Sequence, residues 1–225
     1  MTGADVRRAR KAKRWQQHDL ARRLGVSQAY VSLLESDQRK VPAHVQPKLV
    51  ALLDLPANHL PLGRNVDPWP PDRVASALGS LGYAGFAHMA SRRKVNPTEL
   101  VARTLTREHV EARLVEALPW LLVRYPDLDW GWLVSHAKQH DVQNRLGFVV
   151  TVARELAERS HDEGTAATLR TWEAILERSR LQKEDSFAGA ALSEAERRWL
   201  QTNRSAEASQ WNMLSNVSVD TLINA

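Results

Sequence analysis

Within the fifteen residues from Leu20 to Leu34 the chain stops one helix and starts another. Leu20, Ala21 and Leu24 repeat at helical spacing. Gly25 follows where a residue of left-handed backbone ends a helix, and Ser27 is an N-cap type for the next. That next helix turns Val31 and Leu34 to one side. Val26, apolar in the middle of the turn, can plug the angle between the two helices. So short a joint allows only two helices crossing steeply over a shared apolar contact.

The same periodicity extends in both directions. Val6, Ala9 and Ala12 form an earlier stripe; Pro42, Pro47 and Leu49, Val50, Leu52 and Leu53 place a fourth helix starting near 43 to 47, and Pro56 begins a short fifth. Five of the ten prolines then fall between Pro56 and Pro71, and PLGRNVDPWPPD has neither helical nor strand periodicity, so residues 61–72 read as a linker. Beyond it, stretches such as VEALPWLLVRY and NRLGFVVTVARELAE keep a period near 3.6. Helices are expected over about 72–81, 83–94, 97–105, 107–124, 130–139, 141–160, 162–182 and 193–212. The tail SNVSVDTLINA alternates briefly at Val217, Val219 and Thr221, as a strand or a disordered end would. The expectation is an all-α protein: a five-helix domain over 1–60, a linker, a helical bundle over 73–212 and a tail over 213–225.

Charge separates the two halves. Residues 1–60 carry eleven Lys or Arg against five Asp or Glu, so they hold net +6 of a chain total of +5, and the remainder is close to neutral. The densest run is Arg7, Arg8, Arg10, Lys11, Lys13 and Arg14, a composition that neutralises phosphates or forms a solvated helix face. The absence of cysteine excludes disulfides, thiolate zinc sites, iron-sulfur clusters and a thiol nucleophile. Apolar runs end well before the roughly 18 residues needed to span a bilayer, and no apolar leader follows Met1, so neither a membrane segment nor a signal peptide is expected.

The pair Leu20-Ala21, the turn Leu24-Gly25-Val26-Ser27, the helix Gln28 to Glu35 and the stretch Gln38-Arg39-Lys40 before a proline together resemble the DNA-binding domain of Cro and phage repressors, the XRE family, over about residues 6–60. Two positions depart from its pattern: Gln16 stands where Ser or Thr usually caps the second helix, and Asp37 replaces the usual Gly after Glu35. The resemblance implies a cytoplasmic prokaryotic regulator whose third helix enters the major groove of double-stranded DNA, commonly as a homodimer on a palindromic operator. With Val31 and Leu34 turned inward, Gln28, Ala29, Ser32 and Leu33 are the candidates for base edges, although Leu33 could equally be packed within the domain. Gln17, Arg10, Arg14, Arg39 and Lys40 are the candidates for backbone phosphates. Tyr30 either touches a sugar-phosphate edge or packs on the fourth helix.

Other signals are weaker. His136 and His140 stand one turn apart beside Asp141; they could hold a metal for an enzyme, but without the glutamate of the metalloprotease pattern they read as a solvated helix face. Gly79, Gly82 and Gly85 lack the strand and the Lys-Ser or Lys-Thr ending of a phosphate loop, which leaves close packing or a turn. No catalytic or cofactor motif is found, so neither enzyme activity nor a cofactor is expected. Eight tryptophans serve a core or anchor a partner, with Trp120, Trp130 and Trp132 the interface candidates. Residues 107–160 are similar to antitoxins of abortive-infection systems, which implies a toxin protein as partner.

Overall fold

The computed structural model describes residues 1–63 and 67–223. The chain divides into two compact units, Met1–Gly63 and Arg64–Ala225. Residues 64–66 of the expected linker and 224–225 of the expected tail lie outside the described residues.

The first unit holds α1 (Gly3–Ala12), α2 (Gln17–Leu24), α3 (Gln28–Glu35), α4 (Gln46–Leu53) and a 3-10 turn at Ala57–His59. Its ends follow from local chemistry. The Thr2 hydroxyl accepts from the Asp5 amide while the Asp5 carboxylate accepts from the Thr2 amide, which closes the start of α1. Gly25 ends α2 at φ 78°, a conformation that a Cβ would strain, and Lys48 Nζ donates to the Leu24 carbonyl at 2.8 Å, a cation on a helix C-terminus. Val6, Leu20, Ala21, Leu24, Val31, Leu34, Val41, Leu49 and Leu53 form the core, with Val26 packed against it from the turn.

The second unit is also helical: α5 (Pro71–Leu81), a 3-10 segment Ala84–Met89, α6 (Pro97–Leu105), α7 (Ala112–Arg124), α8 (Trp130–Gln139), α9 (Gln143–Arg159), α10 (Glu163–Glu177), a 3-10 turn Gly189–Ala191, α11 (Glu194–Asn203), α12 (Ala206–Gln210) and α13 (Val219–Ile223). Among the described residues the only strand-type pairing is an isolated bridge between Asp185 and Met213. Helix α9 packs against α7, α8, α10, α12 and α13, and it is buried on all sides from Gln143 to Ala153, polar side chains included. At Gly147 a Cβ would lie 2.3 Å from the Trp211 ring; this close approach lets the fully buried indole seat on α9, where its Nε1 donates to the Thr151 hydroxyl at 2.7 Å. Arg145, also on α9, is 7% exposed; it donates to both Asp185 oxygens and to the carbonyls of Leu105, Arg107 and Ser186.

Several expected elements differ. The helix over 83–94 is a 3-10 segment ending at Met89, because Gly82 has already reversed the chain at φ 106° and Gly79 presses against the Phe86 carbonyl. Helix α7 starts at Ala112 rather than 107, and α10 ends at Glu177 rather than 182. The helix over 193–212 breaks at Arg204 because Ser205 caps a new one, accepting from the Ala208 amide. Of the alternating tail positions, Val219 and Thr221 lie in α13 and Val217 precedes it. No helix among the described residues is long and apolar enough to cross a membrane.

His136 is buried rather than solvated. Its ring lies parallel to Trp132 at 5.0 Å and tilted against His140 at 4.3 Å, and its Nε2 has no hydrogen-bond partner. No group of three metal-ligand types is found among the described residues. Burial, with His140 and Arg103 nearby, holds the His136 imidazole below its ordinary value of 6.5. The unfolded chain therefore binds this proton more readily, so the stability of the fold is full above pH 6.5 and declines as pH falls through that value. Urea unfolding should show a loss of at most about 1.4 kcal/mol from this residue between pH 7.5 and 5.5, and His136→Phe should remove that part of the pH dependence.

Candidate nucleic-acid interface

The interface is built on α3. Its first turn is set by Ser27, whose hydroxyl accepts from the Tyr30 amide at 3.2 Å, and its inner face by Val31 and Leu34, both fully buried. Those anchors leave Gln28, Ala29, Ser32 and Leu33 exposed on the opposite side. Leu33, 38% exposed, is one of only two large hydrophobic side chains on the described surface to be so open. Gln28 offers an amide that can pair bidentately with adenine, and Ala29 and Leu33 offer apolar surface for a thymine methyl.

Basic side chains flank this face. Arg39 and Lys40 are exposed just beyond the C-terminal end of α3, with the Arg39 guanidinium 4.9 Å from the centre of the Tyr30 ring. Tyr30 itself is half-buried against the core. Arg14 is exposed in the turn between α1 and α2 at φ 56°.

Arg10, expected on a phosphate, does not belong to this set. It is 6% exposed, its Nε and Nη2 donate to the two Glu35 carboxylate oxygens at 2.5 and 2.8 Å, and its Nη1 donates to the Trp15 carbonyl at 2.6 Å. The guanidinium is committed inside the unit and has no face left for DNA. Gln17 is partly committed too: its Nε2 donates to Glu35 Oε2 at 3.0 Å, which ties the start of α2 to the end of α3. Burial alone would raise the Glu35 carboxyl, but hydrogen bonds from Arg10 and Gln17 hold it below its ordinary value. Sequence reasoning missed Glu35, although its place one residue after the core Leu34 put it beside the buried face.

The two departures from the family pattern are accommodated locally. The Asp19 carboxylate accepts from the Gln16 amide at 2.9 Å and so caps the start of α2. Asp37 adopts φ 54°, and its carboxylate accepts from the Gly3 amide at 2.7 Å.

The tryptophan candidates separate. Trp130 is 4% exposed, stacked on Trp172 at 5.6 Å, with its Nε1 donating to the Pro126 carbonyl, so it is core rather than an interface anchor. Trp120 and Trp132 are half-buried against Tyr83 and His136. The exposed indole is Trp199, 53% open on α11, a helix with no buried side chain.

The helix-turn-helix family model matches residues 6–60, from within α1 to just past the turn at Ala57–His59. No curated protein and no solved structure matches the chain.

Breaking a buried, hydrogen-bonded ion pair leaves one charge uncompensated, which typically costs about 3–5 kcal/mol. Arg10→Met should therefore destabilise the first unit by roughly that amount, whereas Arg10→Met with Glu35→Leu should recover most of it. Urea unfolding of the full chain, followed by hydrogen exchange of the α1 and α3 amides, would report both. Equal losses in the single and double variants would show that the pair does not hold these helices together.

Proposed function

From the premise that residues 6–60 are a helix-turn-helix domain of the Cro and repressor type, and the chain a DNA-binding transcription regulator, we propose that it is a sequence-specific repressor acting as a homodimer on a palindromic operator. The observation that carries this reading is the sorting of α3: Val31 and Leu34 buried, Gln28, Ala29, Ser32 and Leu33 exposed, and Arg39 and Lys40 beside them. In this reading α3 lies in the major groove. Gln28, Ala29, Ser32 and Leu33 meet base edges, and Arg14, Arg39, Lys40 and the second N–H of the Gln17 side-chain amide meet backbone phosphates, which fixes register. One recognition helix reads too few base pairs to select a site, so two copies related by a two-fold axis supply the second half-site. The helical second unit supplies the pairing.

A second reading, that the protein is an antitoxin, rests on the likeness of residues 107–160 and is favoured by Trp199. An indole more than half open on an otherwise unburied helix is the residue type that anchors a protein partner. Here the partner is a toxin protein encoded beside this gene. Trp199→Ala should then abolish protection against that toxin while leaving operator binding intact.

Gln28→Ala should weaken operator binding by about 1–3 kcal/mol and leave binding to random DNA nearly unchanged, since its amide reads a base. Arg39→Ala should weaken both alike and lower the slope of log K against log salt by about one, as for a single lost phosphate contact. Fluorescence anisotropy on both duplexes at several salt concentrations makes the comparison. Indistinguishable behaviour of the two variants would mean that α3 is not the reading helix, and a footprint without an inverted repeat would remove the dimer.

A further inference from the structure

In the second unit, Tyr83, the 3-10 segment Ala84–Met89, α7, α9 and α13 line a solvent-open cavity of about 480 Å³. Its size falls within the roughly 300–1,000 Å³ of small-molecule sites. The walls are aromatic and aliphatic. Tyr83 stands 5.2 Å from Trp120 and 5.7 Å from Phe86, both pairs tilted, and Leu156 and Leu222 complete the apolar lining. Two opposite charges, Arg113 and Glu116, one turn apart on α7, complete the lining.

Arg113 is exposed and Glu116 half-buried at the mouth of this cavity, and among the described residues no ion pair or hydrogen bond engages either side chain, so both charges are open to a ligand; both lie close enough to Tyr83 to act on its hydroxyl. Burial first, and Glu116 second, push that hydroxyl above its ordinary value, so Tyr83 remains a hydrogen-bond donor across the physiological range.

The geometry points to a site for an aromatic amino acid, its ring packed among Tyr83, Trp120 and Leu156, its carboxylate on Arg113 and its ammonium on Glu116. A guanidinium matches a carboxylate with two parallel hydrogen bonds, and a carboxylate accepts from an ammonium. Aromatic rings in the wall favour a flat ring over a branched aliphatic side chain through tilted or offset contact. A ligand bearing only one of the two charges forfeits one of the two charge-assisted contacts and binds correspondingly more weakly. This site belongs to the second unit alone and does not depend on how α3 reads DNA.

Isothermal titration calorimetry of the full chain tests it, with L-tryptophan, L-tyrosine and L-phenylalanine as probes. Tryptamine lacks the carboxylate, indole-3-propionate lacks the ammonium, and L-alanine lacks the ring. At least one aromatic amino acid should bind one to one, and each truncated analogue of L-tryptophan should bind at least tenfold more weakly than the best of the three. Arg113→Gln should weaken the amino acid at least tenfold and leave tryptamine unchanged, while Glu116→Gln should weaken it similarly and leave indole-3-propionate unchanged. Both side chains reach solvent, so circular dichroism of these variants should match the parent. No binding by any of the three amino acids overturns the assignment. So does binding that the analogues equal, or that neither substitution alters.

Discussion

The pairing of Arg10 with Glu35 holds the first unit in the geometry that everything else there requires. A carboxylate that ends α3 in the interior is costly unless it is neutralised and its lone pairs are met. Both conditions are satisfied: two guanidinium nitrogens and the Gln17 amide converge on Glu35, and the third Arg10 nitrogen closes on the Trp15 carbonyl. Four segments thus meet at one charge: α1 through Arg10, the following turn through Trp15, the start of α2 through Gln17 and the end of α3 through Glu35. The apolar contacts of Val6, Leu20, Val31 and Leu34 supply most of the burial, but such contacts tolerate sliding. The ion pair, with its fixed fork geometry, selects one angle among those the apolar contacts permit.

The second unit meets a related constraint with different means. Helix α9 is surrounded by neighbours from Gln143 to Ala153, so the polar side chains of that stretch turn to partners inside. Asn144 does so by donating to the Leu181 carbonyl and accepting from the Leu181 amide, at 2.9 and 2.8 Å. Arg145 fastens the irregular stretch around Asp185 and Ser186, and Thr151 links the Trp211 indole to the Glu173 carboxylate. The loop between α10 and α11 has little regular structure of its own; Asn144 and Arg145 of α9 satisfy backbone groups of Leu181 and Ser186, and Asp185 pairs its backbone with Asn212 and Leu214.

How much of this was legible depends on whether the cause is local. The turn at Gly25, the cap at Ser27 and the outward face of α3 follow from residue type and spacing, and the sequence carries all three. Arg10 was misread because its neighbours Arg7, Arg8 and Arg14 are of the same type; its spacing of four from Val6 placed it on the buried stripe, a signal that a count of charges overrides. Ser205 is as good an N-cap as Ser193, so the break between α11 and α12 was also present in the residues, hidden by apolar positions that keep a helical period across it. Which tryptophan is exposed was not legible at all. Trp130, Trp199 and Trp211 differ in burial only because of what packs beside them, Trp172, nothing on α11 and the Gly147 slot of α9.

The charge of the first sixty residues gains meaning from how the fold sorts it. Every one of their five carboxylates has work within the unit: Asp5 closes the start of α1 and pairs with Arg8, Asp19 caps α2, Glu35 is inside, Asp37 accepts from the Gly3 amide and Asp54 pairs with Lys13. Of the basic residues, Arg10 faces inward and Lys48 caps α2, whereas Arg7, Lys11, Arg14, Arg22, Arg39 and Lys40 are exposed. Four of the five acidic groups meet backbone amides or Arg10, Asp54 meets Lys13, and most of the basic groups are left outside. The exposed side chains of the unit are therefore mostly basic, with only Asp37 and Asp54 exposed among its carboxylates, and that surface suits an electrostatic approach to a polyanion.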